Sequence, residues 1–434
     1  MIGLYGGTCN NMYVFAKSLS KCGLDVTFIQ DRNDNFPHGQ PVWDDVRHFF
    51  TSGFNQYDID WQNFEREVQW KAPEWYFVPN NVDNPFYLLV VKSKGNLLTR
   101  LFACKYLAKF KDSYSVLCKM QECELVIACG IKAAILSMIS GVPYIIWPHG
   151  SDVRTAVGAE GISYNLPTII LRKLLYKSFI EAVCIGSTMP DAGIGLPLAK
   201  YPRFNKLKVE RIPIPYLPKN RLPKGERIDK LNNLLGLFNI ALPESKYYAF
   251  TPSRIHFFWK GHDKLYDAIR RMDNKDIHFI FIGWGDDCQT MINRINADSA
   301  NDVITVIPAL LSKRLLYDFF ESVDFIVDSF KAASGGYGTS LSEAMSRACP
   351  VVSWTSGLFD SPGWDAPPFI QARSEDEILA VLNKISLGEI NLDFYSKRVK
   401  DWFSKVHGDE AVATIIRDKY LSQTQIDKNK DYIT

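Results

Sequence analysis

The 434-residue sequence has almost no net charge and lacks the usual spacings of a metal site. Lys and Arg number 50 against 48 Asp and Glu, which gives a net charge of +2. A protein whose main partner is nucleic acid normally has a clear positive excess, so we predict no nucleic-acid partner. Nine cysteines form no Cys-x-x-Cys pair, and seven histidines form neither His-x-x-x-His nor His-Glu-x-x-His. We therefore predict no metal and no cofactor, and reduced thiols in a cytoplasmic protein.

No uninterrupted apolar run of membrane-spanning length is present. Met1 is followed directly by Ile-Gly-Leu-Tyr, without the basic and apolar regions of a secretory leader, so none is predicted. The apolar stretch 125–147 has the length of a membrane span, but Lys132 and the Gly-Val-Pro at 141–143 divide it. Its pattern predicts a strand, a helix and a second strand over 125–128, 131–139 and 143–147.

The composition is that of a folded protein with more than one domain. Hydrophobic residues make up 47% and aromatic residues 13%, and the length exceeds what one core usually organises. Short apolar runs alternate with segments of helical period in both halves, which predicts an α/β fold with two Rossmann-like domains. The Pro-rich stretch 212–218 marks the junction. We predict an N-terminal domain over 1–220, a C-terminal domain over 221–400, and a helix and tail over 401–434 that pack back on the N-terminal domain.

The N-terminal half opens with a strand, a helix and a second strand over 2–5, 11–22 and 25–29. Its first turn contains Gly6 and Gly7, which allow the backbone to approach a ligand closely, although the turn is not Gly-x-Gly-x-x-Gly. Residues 31–85 are rich in aromatic residues and have no clear period. We interpret them as a long insertion that lines one face of the domain.

Ligands of open parallel sheets bind beyond the carboxyl ends of the strands. Two loops that contain glycine directly follow predicted strands. His149 follows the strand at 143–147, beside Gly150 and Asp152, and could contact a ligand or be structural. Gly283 begins a Gly-Trp-Gly turn after the strand at 278–282. This turn could contact a ligand, or it could equally be an ordinary tight turn.

Two cations follow the strand predicted at 247–251. Arg254 lies in the loop, and Lys260 lies at the start of a helix over 264–272. A pair of cations beside the N–H groups of a helix start suits a diphosphate.

The most distinctive segment is 334–345. Gly335, Gly336 and Gly338 flank Tyr337 and precede a helix that begins near Thr339, Ser340 and Leu341, which predicts an anion-binding loop. Glu343 has capping-box spacing from Ser340, so it could be a helix cap or could accept hydrogen bonds from a ribose diol. We favour the diol, because an ordinary cap does not require three preceding glycines.

These segments together resemble the GT-B glycosyltransferases, and most of all the large retaining family numbered four. The resemblance rests on the Gly-rich first turn, His-Gly-Ser-Asp at 149–152, Ser-Arg at 253–254, Lys-Gly-His-Asp at 260–263, the Gly-Trp-Gly turn and the segment 336–354. It implies two Rossmann-like domains that face a central cleft. It also implies metal-independent transfer from a nucleotide-diphosphate sugar.

Carried over by position, the resemblance implies that Arg254 and Lys260 bind the diphosphate and that Glu343 binds the ribose. The backbone of Thr339, Ser340 and Leu341 would contact phosphate, and His149 would lie near the transferred sugar. The sequence departs from the family at one position, because the first of two family glutamates is replaced by Gly335. Asp328, at the end of the preceding strand, is a possible substitute.

The resulting hypothesis is a retaining hexosyltransferase of bacterial surface polysaccharide or lipopolysaccharide synthesis, with a saccharide or lipid-linked acceptor. A non-catalytic nucleotide-sugar-binding protein and a nucleotide-sugar epimerase are the alternatives. The basic and apolar segment 92–110, together with 171–177, could bind an anionic membrane surface at the inner face of the membrane or could be a solvated amphipathic helix.

Overall fold

The computed structural model describes residues 1–6, 8–31, 36–51, 58–158, 165–189, 207–330, 338–355, 359 and 363–421. The predicted site residues Gly7, Gly335, Gly336 and Tyr337 lie outside them. Strands and helices alternate along both halves of the chain.

The strands, in chain order, are β1 (Ile2–Tyr5), β2 (Val26–Ile29), β3 (Phe49–Thr51), β4 (Tyr76–Phe77), β5 (Leu125–Ala128), β6 (Tyr144–Ile146), β7 (Cys184–Ser187), β8 (Val209–Arg211), β9 (Tyr247–Thr251), β10 (Ile277–Ile282), β11 (Ile304–Ile307), β12 (Ala309–Leu311), β13 (Phe325–Val327), β14 (Val351–Ser353) and β15 (Ile370–Gln371).

The helices are α1 (Asn11–Lys21), α2 (Pro41–Asp45), α3 (Trp61–Glu67), α4 (Phe86–Lys92), α5 (Leu97–Leu107), α6 (Ser113–Met120), α7 (Ile131–Ser140), α8 (Ser151–Val157), α9 (Leu166–Glu181), α10 (Lys224–Gly236), α11 (Phe257–Lys260), α12 (His262–Arg270), α13 (Cys288–Ala297), α14 (Lys313–Ser322), α15 (Thr339–Met345), α16 (Glu375–Ser386), α17 (Leu392–Val406) and α18 (Asp409–Ile416).

The first unit has a parallel sheet in the order β4-β2-β1-β5-β6-β7-β8. Strands β1 and β5 are buried along their whole length, as expected for a sheet with helices on both faces. Helix α1 buries Met12, Phe15 and Leu19, the residues that its period placed on one face. The alternation predicted for this half is confirmed.

The second unit has a parallel sheet in the order β11-β10-β9-β13-β14-β15. Strand β10 is buried throughout, and α12 packs Leu265, Ala268 and Ile269 into the core. The predicted fold class, an α/β chain with two Rossmann-like sheets, is therefore confirmed.

Two compact units make up the chain, and one segment of the predicted N-terminal domain belongs to the second unit. The first unit consists of Met1–Val42, Tyr57–Tyr216 and His407–Thr434, and the second of Trp43–Gln56 and Leu217–Val406. Strand β3, inside the segment interpreted as an N-terminal insertion, pairs antiparallel with β12 of the second unit. Ser312 Oγ anchors this pairing, because it accepts the His48 N–H at 3.0 Å and donates to the Val46 carbonyl at 2.8 Å.

Candidate functional site

In the second unit, the end of β13, helices α11 and α12, and the start of α15 meet around Lys260. Its ammonium Nζ lies 3.2 Å from Ser329 Oγ. It also lies 4.0 Å from the point where a Cβ on Gly338 would stand. Gly338 is the N-cap of α15, so the cation lies beside the start of that helix. The Phe330 N–H donates to the Lys260 carbonyl at 2.8 Å and holds the two loops together.

Beneath Lys260, Asp328 is fully buried and accepts two hydrogen bonds at Oδ1. Ser253 Oγ donates at 2.7 Å, and His262 Nε2 lies at 3.2 Å. His262 Nδ1 accepts the His256 N–H at 3.1 Å, so the ring proton is on Nε2 and points to Asp328. Burial alone would raise the pKa of Asp328, but Lys260 and these two donors lower it below its usual value. Asp328 is thus a buried anion beneath the cation.

The loop that contains Arg254 is held by the Gly-Trp-Gly turn. The Ile255 N–H donates to the Trp284 carbonyl at 2.8 Å. Gly285 has φ +115°, and a Cβ there would stand 2.4 Å from the Ile255 carbonyl oxygen, so only glycine permits this approach. At Gly283 a Cβ would stand 2.7 Å from the Ile307 carbonyl oxygen. The Arg254 side chain itself is exposed.

Glu343 lies in the body of α15, and its partner is a lysine that no sequence motif indicates. Lys313, the first residue of α14, donates to Glu343 Oε1, and the two side chains are 8% and 1% exposed. Oε2 is buried without a hydrogen-bond partner in the described part of the chain. The helix begins after Gly338, so neither Ser340 nor Glu343 occupies a cap position. The capping-box interpretation of this pair is therefore wrong.

Of the predicted backbone donors in the first turn of α15, Leu341 already has an acceptor, because its N–H is bonded to the Gly338 carbonyl at 3.1 Å. Thr339 and Ser340 precede it, at positions where a helix offers its N–H groups no acceptor of its own. Both residues are half-buried.

In the first unit, Gly6 and His149 follow strands of the same sheet. Gly6 has φ +133°, and a Cβ there would stand 2.2 Å from the Cys129 carbonyl oxygen. His149 is half-buried after β6. Asp152 is buried and accepts the N–H groups of His149, Gly150 and Val153, so this aspartate shapes the turn that carries the histidine. Burial raises the pKa of Asp152 despite these bonds.

The described residues contain no group of three or more His, Cys, Asp or Glu side chains placed to hold a metal ion. They also contain no helix that is long and apolar enough to cross a membrane.

The segment that contains Lys260, Asp328 and Glu343 matches a known family. Residues 247–383 match the glycosyl transferases group 1 family. The resemblance found in the sequence is thus confirmed for this segment. No curated protein matches the chain in sequence.

Solved structures with the same fold cover the whole chain. HepE of Anabaena in complex with UDP has a TM-score of 0.61 at 12% identity, over 97% of this chain and 99% of that one. The catalytic domain of starch synthase IV from Arabidopsis thaliana, bound to ADP and acarbose, has 0.58 at 12%, over 98% and 99%. The apo lipopolysaccharide outer core galactosyltransferase WaaB has 0.52 at 12%, over 97% and 99%. The fold is that of the GT-B glycosyltransferases.

Proposed function

We propose that the protein is a retaining, metal-independent glycosyltransferase that uses a nucleotide-diphosphate sugar. The observation that carries this proposal is Lys260, held by Ser329 at the start of α15 inside the segment that matches the glycosyltransferase family. Cleavage of the bond between the sugar C1 and the phosphate oxygen leaves a diphosphate with growing negative charge. A fixed ammonium beside helix N–H groups stabilises that charge where it forms. Exposed Arg254 is free to reach the same diphosphate from the neighbouring loop.

Glu343 is the proposed ribose ligand. Oε1 accepts from Lys313, and Oε2 is buried with no hydrogen-bond partner among the described residues, so one oxygen is fixed while the other can accept from a hydroxyl. Asp328 is proposed as a positioning residue for Lys260 and not as a replacement for the family glutamate at Gly335. Its burial and its two hydrogen bonds favour that role.

The experiment that tests the donor site needs no acceptor. Thermal unfolding is followed with UDP, GDP, CDP, CMP and their common sugar conjugates, for the wild type and for Arg254→Ala, Lys260→Ala and Glu343→Ala. A ligand that binds the folded state raises the Tm, and we expect one nucleotide diphosphate to do so. The three substitutions should reduce that shift, whereas Lys275→Ala, at an exposed lysine, should keep it. The proposal would be contradicted if no nucleotide raised the Tm, or if the three substitutions left the rise in Tm intact.

A non-catalytic nucleotide-sugar-binding protein is the second candidate, and Gly335 favours it because a family carboxylate is missing there. Turnover separates the two. A transferase should release nucleotide diphosphate from the sugar conjugate that stabilises it, and NMR of the product should show a retained anomeric configuration. Binding without any release, with or without added saccharides, would favour the non-catalytic protein.

We further propose that a membrane surface brings a lipid-linked acceptor, in bacterial surface polysaccharide synthesis. Helices α4 and α5 expose apolar side chains and lysines on the same part of the first unit. Tyr87, Val91, Leu97 and Leu98 are each at least 60% exposed, which is unusual for residues of this size. Unlike the exposed lysines, Arg100 is half-buried: it donates to Ser93 Oγ at 3.0 Å and joins α5 to the end of α4. The neighbouring fold of WaaB, a lipopolysaccharide galactosyltransferase, supports this setting.

Flotation with vesicles tests the membrane surface. The wild type should float with vesicles that contain anionic lipid at low salt, and added salt should weaken the association. The double substitution of Leu97 and Leu98 by Ser should abolish flotation, while Leu387→Ser, at a residue 64% exposed in the second unit, should not. Failure of the wild type to float would refute the membrane proposal and leave the donor site untouched.

A further inference from the structure

A pocket of about 500 Å³ opens in the first unit. It is lined by residues of the aromatic-rich segment 31–85 and by the adjoining Gln30. Its size is that of a small-molecule site. We call it the aromatic pocket and define it by Gln30, Asp60, Trp61, Glu65, Trp70 and Tyr76.

The aromatic pocket lies where ligands of parallel sheets bind. Gln30 directly follows β2, Tyr76 lies in β4, and the two strands are neighbours in the sheet. The Gln30 N–H donates to the Phe77 carbonyl at 3.0 Å and extends the pairing to the rim of the pocket. The carboxyl ends of two adjacent strands therefore form its floor.

The aromatic side chains of the pocket are held in place by their neighbours. Trp70 and Tyr76 meet edge to face, with ring centroids 5.5 Å apart and planes at 81°. Tyr76 also packs on Phe28 at 5.5 Å. Trp61 is only 8% exposed and meets Phe64 edge to face. Fixed rings of this kind offer flat apolar faces without a large loss of entropy on binding.

The polar lining selects against anions. Asp60 and Glu65 line the pocket, together with Gln30, Gln40 and Gln62. Asp60 Oδ1 also accepts the Asn63 N–H at the start of α3 and keeps its negative charge there. Among the described residues that line it, none is Lys or Arg. A phosphate or carboxylate would meet two carboxylates and no compensating cation from these residues, which disfavours the diphosphate of a sugar donor here. Carboxamides both donate to and accept from neutral hydroxyls, and carboxylates accept from them.

We propose that the aromatic pocket binds a neutral sugar unit of the acceptor. Apolar ring faces match the C–H faces of a pyranose, and the carboxamide and carboxylate groups match its hydroxyls. This inference rests on the proposed transferase function, because it concerns the acceptor of that reaction.

The pocket and His149 are separated along the sheet. His149 follows β6, which is three strands from β2 in the sheet order. Three strand spacings correspond to about 15 Å, which is longer than one pyranose ring. The pocket would therefore hold a sugar unit remote from the hydroxyl that attacks, so the acceptor is an oligosaccharide or carries one.

Saturation-transfer NMR tests the pocket without any catalytic activity. The probes are maltose, cellobiose, lactose and mannobiose as neutral sugars, and glucuronic acid as the anionic one. At least one neutral disaccharide should bind the wild type at millimolar concentration, and glucuronic acid should not. Trp70→Ala should weaken that binding at least tenfold. Phe394→Ala, at an aromatic residue 54% exposed in the second unit, should leave it unchanged.

Glu65→Gln provides a variant that keeps the shape of the side chain. It removes one negative charge, so binding of glucuronic acid should rise relative to the neutral disaccharide. Absence of neutral-sugar binding, equal binding to Trp70→Ala, or equal binding of glucuronic acid to the wild type would overturn the proposal. Nucleotide-induced shifts in Tm report the donor site separately, so failure of the transferase proposal and failure of the pocket proposal give different results.

Discussion

Replacement of Glu343 by Gln should strongly destabilise the second unit. The carboxylate is 1% exposed and pairs with Lys313, which is 8% exposed at the first position of α14. A cation at a helix N-terminus is unfavourable, and Glu343 offsets part of that cost for Lys313. Breaking a buried ion pair by removing one partner costs about 3–5 kcal/mol of unfolding free energy.

The pair makes a double-mutant cycle possible. Glu343→Gln and Lys313→Met each break it, and the double variant removes both charges with little change of volume. In a domain of 150–250 residues 1 kcal/mol corresponds to about 2–4 °C, so each single variant should lower the Tm by about 6–20 °C. The double variant should lose less than the sum of the singles, because no charge remains unpaired.

Unfolding in urea, followed by fluorescence and repeated at several salt concentrations, measures the four free energies. Additive effects, or a cost below about 1 kcal/mol for Glu343→Gln, would refute the buried pair as a stabilising unit. A small cost would instead be expected if Glu343 were a cap, since Gln serves nearly as well in a capping box.

Three further predictions concern other parts of the second unit. Burial lowers the pKa of His278 to about 4, so the unfolded chain binds this proton first and stability is lost as the pH falls from about 6.5 to about 4. The loss approaches about 3 kcal/mol by pH 4, and acid unfolding of His278→Gln should lack it. Asp328→Asn should weaken the nucleotide-induced rise in Tm, because Lys260 loses the anion beneath it, whereas Ser312→Ala should leave that ligand shift unchanged even if it lowers the Tm. Gly285→Ala should cost more unfolding free energy than Gly23→Ala, since both have positive φ but only Gly285 has a backbone oxygen within 3 Å of the added Cβ; equal costs would contradict this.

The alternation of short apolar runs with helical period was sufficient to predict both parallel sheets. It predicted β1, β5 and β9 with the bounds that the structure has. This succeeds because a strand covered by helices on both faces must be apolar throughout, and that requirement is visible in four or five consecutive residues. The glycine turns after β1 and β10 were visible for the same local reason.

The tertiary structure alone decided which distant groups meet. Strand β3 joins β12 across more than 250 residues, and three-residue strands have too few side chains to indicate a partner. Asp328 meets His262 because the start of α12 lies at the end of β13, and Glu343, in the body of α15, meets Lys313 at the start of α14. The aromatic pocket depends likewise on how α3 and β4 pack beside β2. Periodicity reports whether a residue is buried, whereas the partner of a buried charge or ring is fixed only by the path of the chain.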